Sequence, residues 1–244
     1  MADCAGTSTV SITSTESIRD RGSENPSILI LLAETLLVAT ATILAVWLSR
    51  NYSSSHLGWL LVPFILTLAA FLPAVLRRTV TDLIGPNYRS ARAALLLVLR
   101  TSAVLAPGVL VVCYLVRLSG RALPLAWPVP LRGGWASWLL YQFMYVAVAE
   151  ELFFRGYLQT NILKALAVAP GPQFTTRHWI GIVISAALFA LAHVVVQGQI
   201  ISVLTFLPGL VLGWLFLRSG SLLAPILFHG FANTFYCLVA ALIA

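Results

Sequence analysis

The chain has 244 residues, 59% of them hydrophobic and 9% charged, with a mean hydropathy of +0.93. Soluble domains carry about 25% charged residues, so the composition excludes a soluble globular domain; a polytopic membrane protein remains, with no room for a soluble partner domain. The net charge of +7 sits mostly at the ends of apolar segments, which is a topology signal, and no basic run interleaved with exposed aromatics supports a nucleic-acid surface.

In chain order, residues 1–26 are polar, rich in Ser and Thr, and read as a disordered tail. The apolar stretch behind them has spanning length and no small-residue cleavage site, so it is expected to be retained as a signal-anchor. A spanning helix needs about 20 apolar residues. Seven segments qualify: 27–49, 57–76, 93–116, 135–155, 179–198, 201–217 and 222–244. The third contains Arg100 and Pro107 and is expected to be kinked or shorter. The fourth continues as an amphipathic helix to about Ala167. The expected fold is therefore an all-α membrane bundle of about seven transmembrane helices.

Arg19, Arg21, Arg77, Arg78, Arg89, Arg92, Arg155, Lys164, Arg177 and Arg218 fall on one side of this scheme, and Arg50, Arg117, Arg121 and Arg132 on the other. The asymmetry predicts a cytoplasmic N-terminus and an external C-terminus. Trp47, Trp59, Trp135 and Trp179 near span ends fit interfacial anchoring. Gly209 and Gly213 form a G-x-x-x-G that predicts close helix packing. Cys4, Cys113 and Cys237 show no metal-binding or redox spacing.

Glu150 and Glu151 close an apolar run and are the only acidic residues after Asp82. A carboxylate at membrane depth is costly and points to function. Glu151 and Arg155, at i and i+4, share a helix face and can form an ion pair. Glu150 points about 100° away and stays available to accept a proton. His193 and His229 are the two histidines inside spans. Phe189 shares a face with His193, and Asn233 with His229. His56 and His178 read as interfacial.

These residues describe a chemistry. Glu150 is a candidate general base for water, and His193 a residue that orients the water or carries its proton. His229 and Asn233 offer donors to an oxyanion. No Ser-His or Cys-His nucleophile pairing is present; Ser185 is two turns from His193. Zinc on Glu150, His193 and His229 as a His₂Glu set is the alternative, without an H-E-x-x-H; the expectation is no cofactor. Helix arithmetic places Glu150 and His229 in the same half of the membrane but puts His193 near the opposite end of its span. A longer fifth span, a deeper start or a tilt is needed to bring it close.

The motifs Glu150-Glu151-x-x-x-Arg155, Phe189-x-x-x-His193 and His229-x-x-x-Asn233, in this order on successive apolar segments, resemble the CPBP (CAAX protease and bacteriocin-processing, Abi) family, over about residues 135–240. The resemblance implies an intramembrane glutamic endopeptidase. Glu150 and His193 would activate water, and His229 and Asn233 would stabilise the oxyanion. Glu151, Arg155 and Phe189 would support the site. The implied partners are a membrane-anchored protein or peptide substrate and the lipid bilayer, with no nucleic acid, and the short chain and compact loops favour a prokaryotic inner membrane. The chain divides into a tail at 1–26, N-terminal transmembrane helices at 27–134, whose role is expected to be substrate entry, and a catalytic core at 135–244. The competing readings are a non-catalytic scaffold or bacteriocin-immunity protein, and a proton-coupled transporter, for which no pair of matched broken helices is seen.

Overall fold

In the computed structural model, residues 28–53, 55–85, 90–120, 134–168 and 174–243 are described. The tail at 1–26 lies outside them, as do Cys4, Arg89, Arg121, Arg132 and the side chains of His56 and Trp59. The described residues form helices in every one of the seven predicted segments. In order they are α1 (Ile28–Tyr52), α2 (Ser55–Leu76), the short α3 (Val80–Ile84), α4 (Ala91–Leu118), a long helical segment over 134–165, α8 (Thr176–Gln197), a 3₁₀ stretch (Ile200–Thr205) leading into α9 (Phe206–Ser219), and α10 (Leu223–Ile243). The 134–165 segment, called the glutamate helix below, alternates α5 (Gly134–Leu140), a π stretch (Tyr141–Ala147), α6 (Val148–Glu151), a second π stretch (Leu152–Gln159) and α7 (Thr160–Ala165).

Five of these helices are long and apolar enough to cross a membrane: Ile28–Tyr52, Ala91–Leu118, Thr176–Gln197, Ile200–Ser219 and Leu223–Ala240. Leu60–Leu76 is a shorter apolar helix, and the glutamate helix carries too many polar groups. Length and composition thus support an all-α membrane bundle, while the count of seven spans is not reached on those criteria alone. The third segment is neither shortened nor interrupted. The α4 helix runs for 28 residues through Arg100 and Pro107. The short α3 was not anticipated, because five residues beside Arg77 and Arg78 carry no periodicity to read.

The bundle is inverted relative to a soluble one. On α1 the buried positions are Thr35, Ala39, Thr42, Val46 and Ser49, a 4-3-4-3 stripe of small and β-branched residues, while Leu29, Leu37, Leu44 and Leu48 are exposed. Small inward residues let backbones approach, and lipid takes the large apolar side chains. The hydroxyls of Thr35 and Thr42 donate to carbonyls one turn back on the same helix, at 2.7 and 2.6 Å. No buried donor is wasted there.

Two apolar clusters hold the helices. The larger joins α1, α2, α3 and the glutamate helix to α8 and α9 through Ala39, Leu66, Ala70, Phe153, Leu158 and Phe189. The smaller joins α4, α9 and α10 through Ala94, Val98, Leu212, Leu215 and Phe228. The glutamate helix is thereby enclosed by α1 and α2 on one flank and by α8, α9 and α10 on the other.

Candidate active site

The glutamate helix sets up the site through its π stretches. In a uniform α-helix, i,i+4 residues drift by about 40° per step. A π stretch, with i→i+5 hydrogen bonds, takes more residues per turn and reduces that drift. Gln142, Val146 and Glu150 accordingly line one cavity. Glu151, Arg155 and Gln159 follow one another on another face, and all three are fully buried.

That second face is tied to α9. Arg155 donates from Nη2 to the Gly209 carbonyl at 3.2 Å, and Gln159 from Nε2 to the Gly213 carbonyl at 3.1 Å. The two glycines permit this approach. A Cβ on Gly213 would lie 2.8 Å from Gln159 Oε1 and 3.2 Å from Ile182 Cγ2; one on Gly209 would lie 3.2 Å from Ala186 Cβ. Close packing, as expected from the G-x-x-x-G, is what the structure shows. The exposure of two backbone carbonyls to buried donors is an addition to it.

Glu151 and Arg155 form the predicted ion pair. Arg155 Nη1 donates to Glu151 Oε1 at 3.2 Å, and Arg155 Nε lies 3.1 Å from Glu151 Oε2, an ion-pair contact without hydrogen-bond alignment. The guanidinium also sits over the Phe189 ring, 4.5 Å from its centroid, a cation–π contact. Phe189 further packs its ring against Phe154 at 5.0 Å and His193 at 4.4 Å. Glu151 does more than pair with Arg155. Its Oε1 accepts from His229 Nδ1 at 2.7 Å.

Glu150 is placed differently. Its Oε2 has no hydrogen-bond partner within the protein. His193 Nε2 lies 3.9 Å from that oxygen and His229 Nε2 3.8 Å from it. Three side chains from the glutamate helix, α8 and α10 thus converge on one point. The α8 helix ends at Gln197 with Gly198 as a left-handed cap, so an axial offset or tilt of α8, not a longer helix, brings His193 to this level.

Hydrogen bonding fixes the tautomers. His193 Nδ1 lies 2.9 Å from the Phe189 carbonyl, and a carbonyl only accepts, so Nδ1 carries the proton. His229 Nδ1 meets a carboxylate that is paired with arginine, and the same logic applies. In the neutral rings both Nε2 atoms are therefore acceptors aimed at Glu150. Two carboxylates against one guanidinium also leave the cluster one positive charge short.

Asn233 donates from Nδ2 to Gln142 Oε1 at 2.8 Å. Both line a cavity of about 260 Å³ with Glu150, His193 and His229. Gln142 went unremarked in the sequence; its signal was an amide in an otherwise apolar run, eight residues before Glu150. The cavity wall opposite comes from α1 and α2, through Thr42, Ile43, Val46, Arg50, Val62, Pro63 and Leu66. The structure thus brings Glu150, His193, His229 and Asn233 together, with Glu151, Arg155 and Phe189 buried behind them.

The remaining polar candidates are engaged elsewhere. Ser185 Oγ donates to the Phe154 carbonyl at 3.1 Å in a buried position. His178 is buried and caps α8, accepting at Nδ1 from the Thr175 N–H at 3.0 Å. Cys237 is buried and Cys113 half-buried, both as free thiols. Among the described residues no group of three or more His, Cys, Asp and Glu is arranged to hold a metal ion.

Residues 132–235 match the family model described as type II CAAX prenyl endopeptidase, Rce1-like. The match covers less than half of the chain and contains all three motifs. It supports the CPBP family, an integral membrane protein and a peptidase. An uncharacterized 24.3 kDa protein of Escherichia coli is 32% identical over 96 residues, 39% of this chain and 41% of that relative. The chain therefore spans less than half the length of the curated relative it matches. No solved structure matches.

Proposed function

We propose, on the CPBP family match over residues 132–235, that this protein is an intramembrane endopeptidase in which Glu150 activates water to cleave a membrane-anchored protein or peptide. The observation that carries the reading is the meeting of Glu150 Oε2 with two imidazole Nε2 atoms at 3.8 and 3.9 Å. Those separations leave space for a water between three acceptors, which can satisfy only two of them with its protons. Glu150 takes one proton as the oxygen attacks the scissile carbonyl. His193 holds the water and carries that proton toward the leaving amine.

The oxyanion that forms is stabilised by Asn233 and His229. Asn233 uses one Nδ2 proton on Gln142 and has the second free for the oxyanion. His229 donates from Nε2 once it has been protonated, and Glu151 behind Nδ1 fixes its ring and stabilises the charged form. The substrate class follows the family: processing after a prenylated cysteine, or removal of a leader or C-terminal sorting signal. Residence in a prokaryotic inner membrane belongs to the same proposal and rests on the short chain and compact loops; the cytoplasmic N-terminus and external C-terminus rest on the basic-residue asymmetry.

A zinc enzyme on Glu150, His193 and His229 is the second reading, since these are ligand types that zinc takes. One experiment separates the two. Purified protein in proteoliposomes, assayed on lipid-anchored peptides, is expected to cleave at the same rate with and without a strong zinc chelator. Its zinc content is expected to be far below one ion per chain. Activity that tracks bound zinc would replace the metal-free mechanism.

A further inference from the structure

Gln197, the last residue of α8, is a polar group that the proposed chemistry does not use. It lies four residues after His193, so the two share a helix face, and both line the cavity. Its carboxamide is held from behind: Ser202 Oγ, in the 3₁₀ stretch, donates to Gln197 Oε1 at 2.6 Å. That stretch turns back because Gly198 ends α8 in a left-handed conformation. Ser202 is buried, while Ile200, Ile201, Val203 and Leu204 around it are exposed. In a membrane protein such side chains suit lipid.

The bond to Ser202 leaves the amide nitrogen over. A Gln side chain carries two N–H donors, of which one hydroxyl can occupy at most one. Among the described residues Gln197 Nε2 has no acceptor. An unpaired N–H among apolar residues is costly, and the cavity that Gln197 lines is where a partner can enter. Spacing identifies the partner. His193 and Gln197 are about 6 Å apart along α8. Extended peptide advances about 3.3–3.6 Å per residue, and groups on one side of it recur every second residue, or about every 6.6–7.2 Å. A carbonyl held at the level of His193 therefore brings the second carbonyl along, on the same side, to the level of Gln197.

We propose that Gln197 Nε2 donates to a backbone carbonyl of the bound substrate two residues from the scissile one, and so holds an extended peptide in register with Glu150. The proposal rests on the peptidase reading and adds a substrate-binding residue to it. A peptide carbonyl entering a mostly apolar cavity needs a donor. Asn233 is committed to the oxyanion and to Gln142, whereas Gln197 is free and fixed in place by Ser202. The contact reads backbone and not side chain, so it selects an extended strand whatever its sequence.

The probe is an N-palmitoyl octapeptide of alternating Ala and Leu, with a series carrying one thioamide at each position in turn. A thioamide sulfur accepts hydrogen bonds more weakly than the carbonyl oxygen it replaces. Product masses from the unchanged protein locate the cut. Binding is titrated on detergent-solubilised Glu150→Gln protein, in which affinity is read without turnover. Adding Gln197→Glu keeps the acceptor for Ser202 and removes the N–H donors, and is expected to weaken binding of the parent peptide about fivefold. The thioamide two residues from the cut is expected to cost about the same on the Gln197 protein and to be insensitive to Gln197→Glu, while the other thioamide peptides keep the Gln197→Glu loss. No loss on Gln197→Glu, an equal loss across the whole series, a sensitive position elsewhere, or no binding of the peptide overturns the proposal. The thioamide series on the Gln197 protein decides the question even if Gln197→Glu folds poorly. Failure of the peptidase reading shows separately: the peptide then binds with one thioamide-sensitive position and is not cut by the unchanged protein, or is still cut by Glu150→Gln.

Discussion

Glu151 and Arg155 are both fully buried, so changing one strands the other's charge in an apolar interior. Breaking a buried pair costs about 3–5 kcal/mol. Glu151→Gln is expected to lower thermal stability on that scale and to release the His229 ring, with activity lost as a consequence. A melting temperature equal to that of the unchanged protein would contradict this placement. Asn233→Ala removes the proposed oxyanion donor and is expected to reduce kcat about 10²–10³-fold. Gln142→Ala leaves Asn233 present but unheld, so a smaller loss in kcat with little change in KM is expected from steady-state kinetics. The i,i+4 rule made the Glu151–Arg155 pair legible in the sequence. It did not reveal that Glu151 also holds His229, because that contact joins residues 78 positions apart. Gln142 was hidden for another reason. On α-helical angles it lies about 80° from Glu150, and only the π stretch between them turns it onto the cavity.

Among the elements, the glutamate helix and α9 are joined by two buried side-chain-to-carbonyl hydrogen bonds. The i,i+4 spacing of Arg155 and Gln159 matches that of Gly209 and Gly213 across the interface. Gly213→Ala places a methyl 2.8 Å from Gln159 Oε1. Overpacking of this kind costs about 1–3 kcal/mol, and the variant is expected to melt earlier while retaining the three-residue cluster at Glu150. Unchanged stability, measured by thermal unfolding in detergent, would show that Gln159 yields freely. The glycine motif, the seven apolar segments and the extension of the fourth helix toward residue 165 could all be read from hydropathy and spacing. The register of α8 against the glutamate helix could not. It depends on packing, such as Leu163 filling the space beside Gly181, where a Cβ would lie 2.6 Å from Leu163 Cδ2.

At the scale of the molecule, the proposed catalytic groups and the cavity wall come from different parts of the chain. The motif residues lie within 132–235, while α1 and α2 supply the facing wall. The sequence offered no role for these helices beyond substrate entry, because a wall of Thr, Val, Ile and Pro looks like any spanning helix. Val62→Trp, on the α2 wall of the cavity and not itself one of the proposed catalytic residues, is expected to raise KM by filling the cavity while kcat falls less. Kinetics showing a loss confined to kcat would argue against α2 as a substrate-binding wall.

The division of labour between the adjacent glutamates is the centre of the account, and Glu150→Gln tests it most directly. Gln keeps the shape of the side chain, and Glu150 Oε2 has no hydrogen bond within the protein to lose. Cleavage of a lipid-anchored peptide by the reconstituted variant is expected to fall at least about 100-fold, with thermal stability retained. Cleavage at the rate of the unchanged protein would contradict Glu150 as the base.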